Sequence, residues 1–248
     1  MRVFIFIRQG YALNLRAGIG AGKYLQSTDG FVGNIRTKAF NLFGSYNYNY
    51  NHSNLIRTSY RTISTNGKLI SYDRHSIDPA VAKNNTFKAG ANFYLGKQAT
   101  LGFVYNGTHN NWTRDAGGPT YLRNAGGGID SIARNKNITL EPAASSAYNI
   151  NFATQWGKAG AQLFADADYA GYHNNSSGSL DNGVYTVTGM ALQPYQSLAF
   201  QQPGNIIIRS IKTDLVLPHG GVFPNRCRNA EILFQKQAGC GAFLEGYF

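Results

Sequence analysis

Twelve consecutive residues, "FNLFGSYNYNYN" at 40–51, alternate without a break: Phe40, Leu42, Gly44, Tyr46, Tyr48 and Tyr50 fall on one parity, and Asn41, Ser45, Asn47, Asn49 and Asn51 on the other, with Phe43 among them. A period of two predicts a strand, because successive side chains leave a pleated backbone on opposite faces. Strands of globular sheets usually run five or six residues, whereas about 9–11 tilted residues cross a bilayer. One apolar and one amide-rich face suits a wall with lipid on one side and water on the other. A long hairpin of a soluble β-sandwich fits this single stretch as well, so the remaining segments have to choose.

Seven further stretches carry the same period. "ALNLRAGIGAG" sets Leu13, Leu15, Ala17, Ile19 and Ala21 against Asn14 and Arg16, and "DGFVGNIR" aligns Phe31, Gly33 and Ile35. "TFKAGANFYL" opposes Phe87, Ala89, Ala91, Phe93 and Leu95 to Lys88 and Asn92, while "TLGFVYNGTHN" aligns Leu101, Phe103 and Tyr105. "SAYNINFATQW" alternates Tyr148, Ile150, Phe152, Thr154 and Trp156 with Asn149 and Asn151. "AQLFADADYAGY" places Leu163, Ala165, Ala167 and Tyr169 against Asp166 and Asp168, and "NIIIRSIKTDLVL" places Ile207, Ile211, Leu215 and Leu217 against Ser210, Lys212 and Asp214.

The connections sort by parity. Thr37-Lys38-Ala39, Gly96-Lys97-Gln98 and Gly157-Lys158-Ala159-Gly160 are tight, while 23–27, 52–85, 113–145 and 173–204 read as longer polar loops. Asn66-Gly67 inside one of them is a hairpin signal, for strands that continue past the bilayer. Short turns on one side and long loops on the other are the habit of outer-membrane barrels. The expected fold is therefore all-β: an antiparallel up-and-down outer-membrane β-barrel, partial, of about eight strands.

Composition narrows the choice. Tyr (16), Phe (15) and Gly (29) are abundant in the 248 residues, mean hydropathy is −0.30, and no apolar run approaches the ~18 residues of a spanning helix. "MRVFIFIRQG" has an apolar stretch of only Val3 to Ile7, too short for a secretory h-region of about 7–15 residues, which places the natural start of the protein upstream. The formal charge of +11 comes from scattered Lys and Arg without a nucleic-acid motif, so anionic lipid head groups are the better expected partner and nucleic acid is not one. Cys227 and Cys240 both lie in the last 22 residues of the chain. From Val222 the alternation stops, and 222–248 reads as an atypical tail of the kind a reading-frame change would produce.

Little here reads as site chemistry. Asp166 and Asp168 share one face and read as solvated lumen carboxylates rather than an acid–base pair. His52, His75, His109 and His173 lie in or near the long segments without metal-ligand spacing. "GGPTYLRNAGGG" at 117–128 lacks the Gly-Lys-Ser/Thr of a phosphate loop and reads as a flexible loop. No catalytic residue, cofactor or metal site is expected, and the chain is not expected to be an enzyme. Trp112 and Tyr121 are the ligand-binding candidates, as loop aromatics that stack on a sugar or anchor at the membrane surface.

On "GKYLQSTDGFVGNIRTKAFNLFGSYNYNYN", "FKAGANFYLGKQATLGFVYNG", "ADADYAGYHNNSSG" and "QQPGNIIIRSIKTDLVLP" the chain resembles the early barrel strands of TonB-dependent receptor-like outer-membrane proteins, and "VFIFIRQG" is similar to the strand that ends their plug domain. The resemblance implies residues 1–10 as a remnant of the plug end, 11–221 as a partial barrel, and 222–248 as foreign to it. It implies a location in the outer membrane of a Gram-negative bacterium, among lipid and lipopolysaccharide. In an intact parent of about 22 strands it implies a plug, contact with the TonB system and uptake of a siderophore, glycan or similar bulky nutrient, with this chain a fragment unable to transport. Two alternatives stay open: a small self-contained barrel serving as structural protein or narrow pore, and a soluble β-rich glycan-binding or adhesin domain.

Overall fold

The computed structural model of the protein describes residues 10–157, 160–217, 226–238 and 243–247. Eight long strands follow one another: β1 (Gly10–Ala21), β2 (Leu25–Arg36), β3 (Phe40–Thr65), β4 (Lys68–Leu95), β5 (Ala99–Arg123), β6 (Ile129–Trp156), β7 (Ala161–Tyr185) and β8 (Gln196–Leu217). Each pairs antiparallel with the next. β9 (Arg226–Ala238) and β10 (Phe243–Tyr247) both lie along the far edge of β8. The described sheet is open: β1 forms one edge and does not pair with the other end. It is also a single layer, with Ala116 the one buried apolar residue among those described.

All eight stretches with period two are strands, and the register puts their apolar parities on one face. Leu15 stands opposite Phe31, Phe31 opposite Tyr46, and Tyr46 opposite Phe87. Phe93 faces Leu101, Leu101 faces Phe152, Phe152 faces Ala165, and Leu163 faces Leu215. Directly opposed residues project to the same side of a sheet, so the apolar stripe is continuous from β1 to β8.

The segments expected as long loops are corrected. Residues 52–85 and 113–145, and most of 173–204, are strand: β3 and β4 run for 26 and 28 residues and β6 for 28. Their two-faced pattern fades, while the backbone ladder needs no apolar side chain to continue. Across these six strands the register slips once, at Leu122/Arg123. The connection at 22–24 is likewise as short as the turn at 37–39. What sorts by parity is therefore the length of the hairpins: on one side β3–β4, β5–β6 and β7–β8 reach far past the apolar stripe.

Turn chemistry agrees with the sequence at several points. Thr37 Oγ1 accepts from the backbone N–H groups of Ala39 and Phe40 at 3.2 and 3.0 Å. Asn66 and Gly67 have φ of 49° and 73°, the left-handed pair of a type I′ hairpin. Of the turn at 157–160, Lys158 and Ala159 lie outside the described residues. Valine at position 67 would have to enter the left-handed region, so Gly67→Val is expected to cost the tip about 1–2 kcal/mol. Amide exchange should quicken at Ser64–Ile70 and stay unchanged at Leu101–Tyr105.

The tail is a second correction. Its lack of alternation led to no strand being expected after Gly221, yet 226–238 and 243–247 pair along β8. An unpaired edge presents a row of free N–H and C=O groups, and filling it needs an extended backbone, not an amphipathic one. Cys227 pairs by backbone with Val216; Cys240 and residues 1–9 lie outside the described residues.

Candidate functional site

Two surfaces and one side-chain cluster make up the candidate site. No second layer covers the apolar face among the described residues: Leu13 is 67% and Ile150 53% exposed, while Phe40, Phe152 and Leu163 are half-buried by their neighbours. This face spans nine residues on β4–β8 (Ala99 to Gly107 on β5 and the residues paired with them), seven on β3 and five on β1 and β2, and its one charge there is Arg209, at the β8 end of the upper row. Strand gaps of about 4.8 Å and residue steps of about 3.3 Å give about 700 Å² in projection. The largest patch on a soluble monomer is roughly 300–600 Å². At about 25 cal/mol/Å², wetting it costs on the order of 20 kcal/mol, above the roughly 5–15 kcal/mol that holds a domain folded. Something must cover this face.

Its upper border is aromatic. Phe31, Tyr46 and Phe87 lie in sequence across β2–β4 with centroids 6.2 and 5.1 Å apart. Tyr105, Tyr148 and Tyr169 continue the row at 5.0 and 6.2 Å, and Arg209 sits 5.6 Å from the Tyr169 ring. On β3–β5 and β7–β8 the face turns polar a few residues further on, at Tyr48, Asn85, His109, His173 and Asn205. The Tyr46 hydroxyl donates upward to Asn85 Oδ1 at 2.8 Å, and His173 Nδ1 meets Asn205 Oδ1 at 2.9 Å. Buried ring and hydrated hydroxyl are what an interfacial girdle requires. At the opposite, tight-turn end lie Leu95, Leu163, Leu215 and Trp156.

The other face is a lattice of amides, hydroxyls and carboxylates. Asn151 Nδ2 donates to Asn149 Oδ1 (2.8 Å), Asn149 Nδ2 to Asp168 Oδ1 (2.7 Å), and Ser210 Oγ to Asp168 Oδ2 (3.0 Å). Asp168 is thus held by two donors from neighbouring strands, which marks it as a structural acceptor. Asp166 stands opposite both Asn151 and Lys212. Arg16 Nη2 reaches Asn47 Oδ1 at 3.2 Å, and Thr108 and Ser145 meet at 2.6 Å.

On this same polar face, beyond the aromatic border, the extended hairpins hold a cluster that the sequence did not reveal. Asp78 is 3% exposed, and its Oδ2 accepts from Arg114 Nη2 at 2.7 Å and faces Arg57 Nε at 3.4 Å. Arg57 lies on β3, Asp78 on β4 and Arg114 on β5, spread over segments that read as loops. The pairing of Leu55 with Asp78 and of Ala80 with Arg114 brings them together. Asn135, with its amide oriented to suit its neighbours, donates to the Gly118 carbonyl at 2.9 Å and accepts from Arg74 Nη2 at 3.2 Å.

Trp112 and Tyr121 are not loop residues: both lie on β5. Nine positions apart on one strand, they project to opposite faces. Trp112 stands on the polar face opposite Ala82 and Glu141, and Tyr121 on the other, opposite Asp73 and Ile132 with Arg123 6.0 Å from its ring. They cannot grip one ligand together. Tyr121 does share an open hollow of about 640 Å³ with Ile77, Pro79, Pro119 and Ile132. The glycine-rich run resolves into the end of β5 and a turn in which Asn124 Oδ1 already accepts from Gly126 and Gly128 N–H at 3.0 and 3.1 Å, leaving those donors unavailable to a phosphate. His52, His75, His109 and His173 all occupy the parity of the apolar face, above or at its upper border. No cluster of three metal-ligating side chains occurs among the described residues, and no helix is long and apolar enough to cross a membrane. In the segment past the aromatic border, hydrogen bonds with the Ser71 and Thr62 hydroxyls hold the Tyr60 phenol below its ordinary pKa.

No protein-family model matches the chain, and neither a curated protein nor a solved structure does.

Proposed function

We propose that this sheet is a sector of an outer-membrane barrel wall of the TonB-dependent receptor type, set in lipid and lipopolysaccharide, whose complete form admits a bulky nutrient such as a siderophore or glycan. The observation that carries the reading is the single apolar face, up to nine residues tall and continuous across eight strands, bordered above by aromatic rings among which its one charge, Arg209, stands. Lipid covers such a face at no cost, and water does not. The polar face then lines the passage, and the three long hairpins stand outside the cell. The role is one of wall and passage, without catalysis. Transport itself requires strands that close the sheet, because each unpaired backbone group in hydrocarbon costs several kcal/mol, and it requires a plug that the TonB system can move. The open edge at β1 favours this sector over a small self-contained barrel, and the absence of a second packed layer among the described residues disfavours a soluble adhesin.

A label scan tests it. In a background carrying Cys227→Ser and Cys240→Ser, a polarity-sensitive fluorophore is placed singly at 147–152 and the protein is assembled into phospholipid vesicles. Emission should be blue-shifted and quenched by spin-labelled acyl chains at Tyr148, Ile150 and Phe152, and quenched by aqueous iodide at Ala147, Asn149 and Asn151. A flat profile, or a protein that stays monomeric in buffer without detergent, overturns the reading.

A further inference from the structure

The polar face of the β3–β5 extension holds more guanidinium than it neutralises. Arg57 and Arg114 meet at Asp78, the one carboxylate in contact with either among the described residues, and Arg74, four residues from Asp78 on β4, reaches Asn135 on the same face. The charges are layered by depth: Asp78 is 3% exposed, Arg114 26% and Arg57 56%. Arg61 lies exposed four residues further along the same face of β3. A solute arriving from water therefore meets cations first. Each guanidinium carries five N–H donors in a planar fork. Asp78 accepts a hydrogen bond from Arg114 Nη2 and forms an ion pair with Arg57 Nε at 3.4 Å, and the other guanidinium donors of the two have no acceptor among the described side chains. Arg74 Nε is buried and unpartnered, and so is the second carboxylate oxygen, Asp78 Oδ1, which a protonated oxygen of the incoming anion would satisfy. A buried donor without an acceptor is costly, so the site is incomplete as it stands.

We propose that this cluster binds an oxyanion, the group shared by carboxylate- and phosphate-bearing solutes, with Arg57 and Arg114 as bidentate ligands, Arg74 as a third donor, and Asp78 as a positioning residue. It deepens the receptor reading, since it needs these hairpins to stand in water at the mouth of the passage. Asp78 clamps the two forks at one end, and their free edges point to where the anion sits. Planar forks match carboxylate and phosphate oxygens two at a time, and a held fork loses less side-chain freedom on binding than a loose one.

The full chain, assembled in zwitterionic micelles and checked by the label scan at Asn149 and Ile150, is titrated with two probes, a tricarboxylate (tricarballylate) and inorganic phosphate. Binding by one or both is expected, weakening as salt rises, and their ratio assigns the oxyanion class. Arg57→Gln and Arg114→Gln should each weaken it roughly tenfold or more, the worth of a charge-assisted hydrogen bond. Lys88→Gln, on the same face but within the bilayer span, should leave it unchanged. Asp78→Asn decides the mechanism, because it adds a positive charge yet frees both forks: positioning predicts weaker binding, and diffuse attraction predicts tighter. No binding in a sample with the alternating label pattern, an equal loss with Lys88→Gln, or tighter binding by Asp78→Asn would overturn the proposal while leaving the wall reading intact. A flat label profile would overturn the wall reading instead.

Discussion

Ile150→Arg is expected to block membrane assembly of the protein, while Asn149→Arg, one residue away, leaves it intact. Ile150 lies between Phe103 on β5 and Ala167 on β7, near mid-height of the apolar face. With lipid against it, an arginine there costs about 2–4 kcal/mol at the bilayer midplane. One row up on that face stand Tyr105, Tyr148, Tyr169 and the cation Arg209, so the guanidinium has no local anion to pair with. Asn149 faces the opposite side, where Asp168 stands directly across, and a cation beside that carboxylate is an ion pair in water. Assembly of each variant into vesicles, read by protection from added protease and by flotation with lipid, separates the outcomes. Equal assembly of the two variants would remove the lipid from the argument.

The second large effect belongs to Asp78. Breaking a buried ion pair by removing one partner costs about 3–5 kcal/mol when the orphaned charge has no access to water. Arg57 is more than half exposed and Arg114 a quarter exposed, so both recover some hydration, and Asp78→Ala is expected to cost about 2–3 kcal/mol. The loss stays local: amide exchange should accelerate at Leu55–Ser59, Ser76–Ala80 and Arg114–Gly118, with little change at Leu42 or Phe152. Asp115→Ala supplies the contrast. Asp115 faces Lys136 at 3.6 Å with both side chains about half exposed, and such surface pairs are worth about 0–1 kcal/mol. Similar exchange profiles for the two variants would mean that Asp78 is not a clamp.

These expectations rest on different depths of legibility. The side on which Leu13, Phe40, Phe87, Phe152 and Leu163 stand could be read from parity within each stretch, and all five share a face in the folded sheet. The Asn66-Gly67 hairpin was legible for a similar reason, since its left-handed pair is a local demand on two residues. Trp112 and Tyr121 were misplaced because nothing in their own neighbourhood distinguishes a polar strand from a loop. Asp78 and its arginines were invisible because Arg57, Asp78 and Arg114 are 21 and 36 residues apart, meeting only through two strand registers.

The sequence by itself determined which side chains share a face, because alternation is a property of one pleated backbone and survives whatever the chain pairs with. Tertiary structure decided how far each strand runs, which residue stands across from which, and that the tail closes onto β8. Those depend on hydrogen bonds between segments distant in the chain, and backbone groups form them with almost any side chain attached.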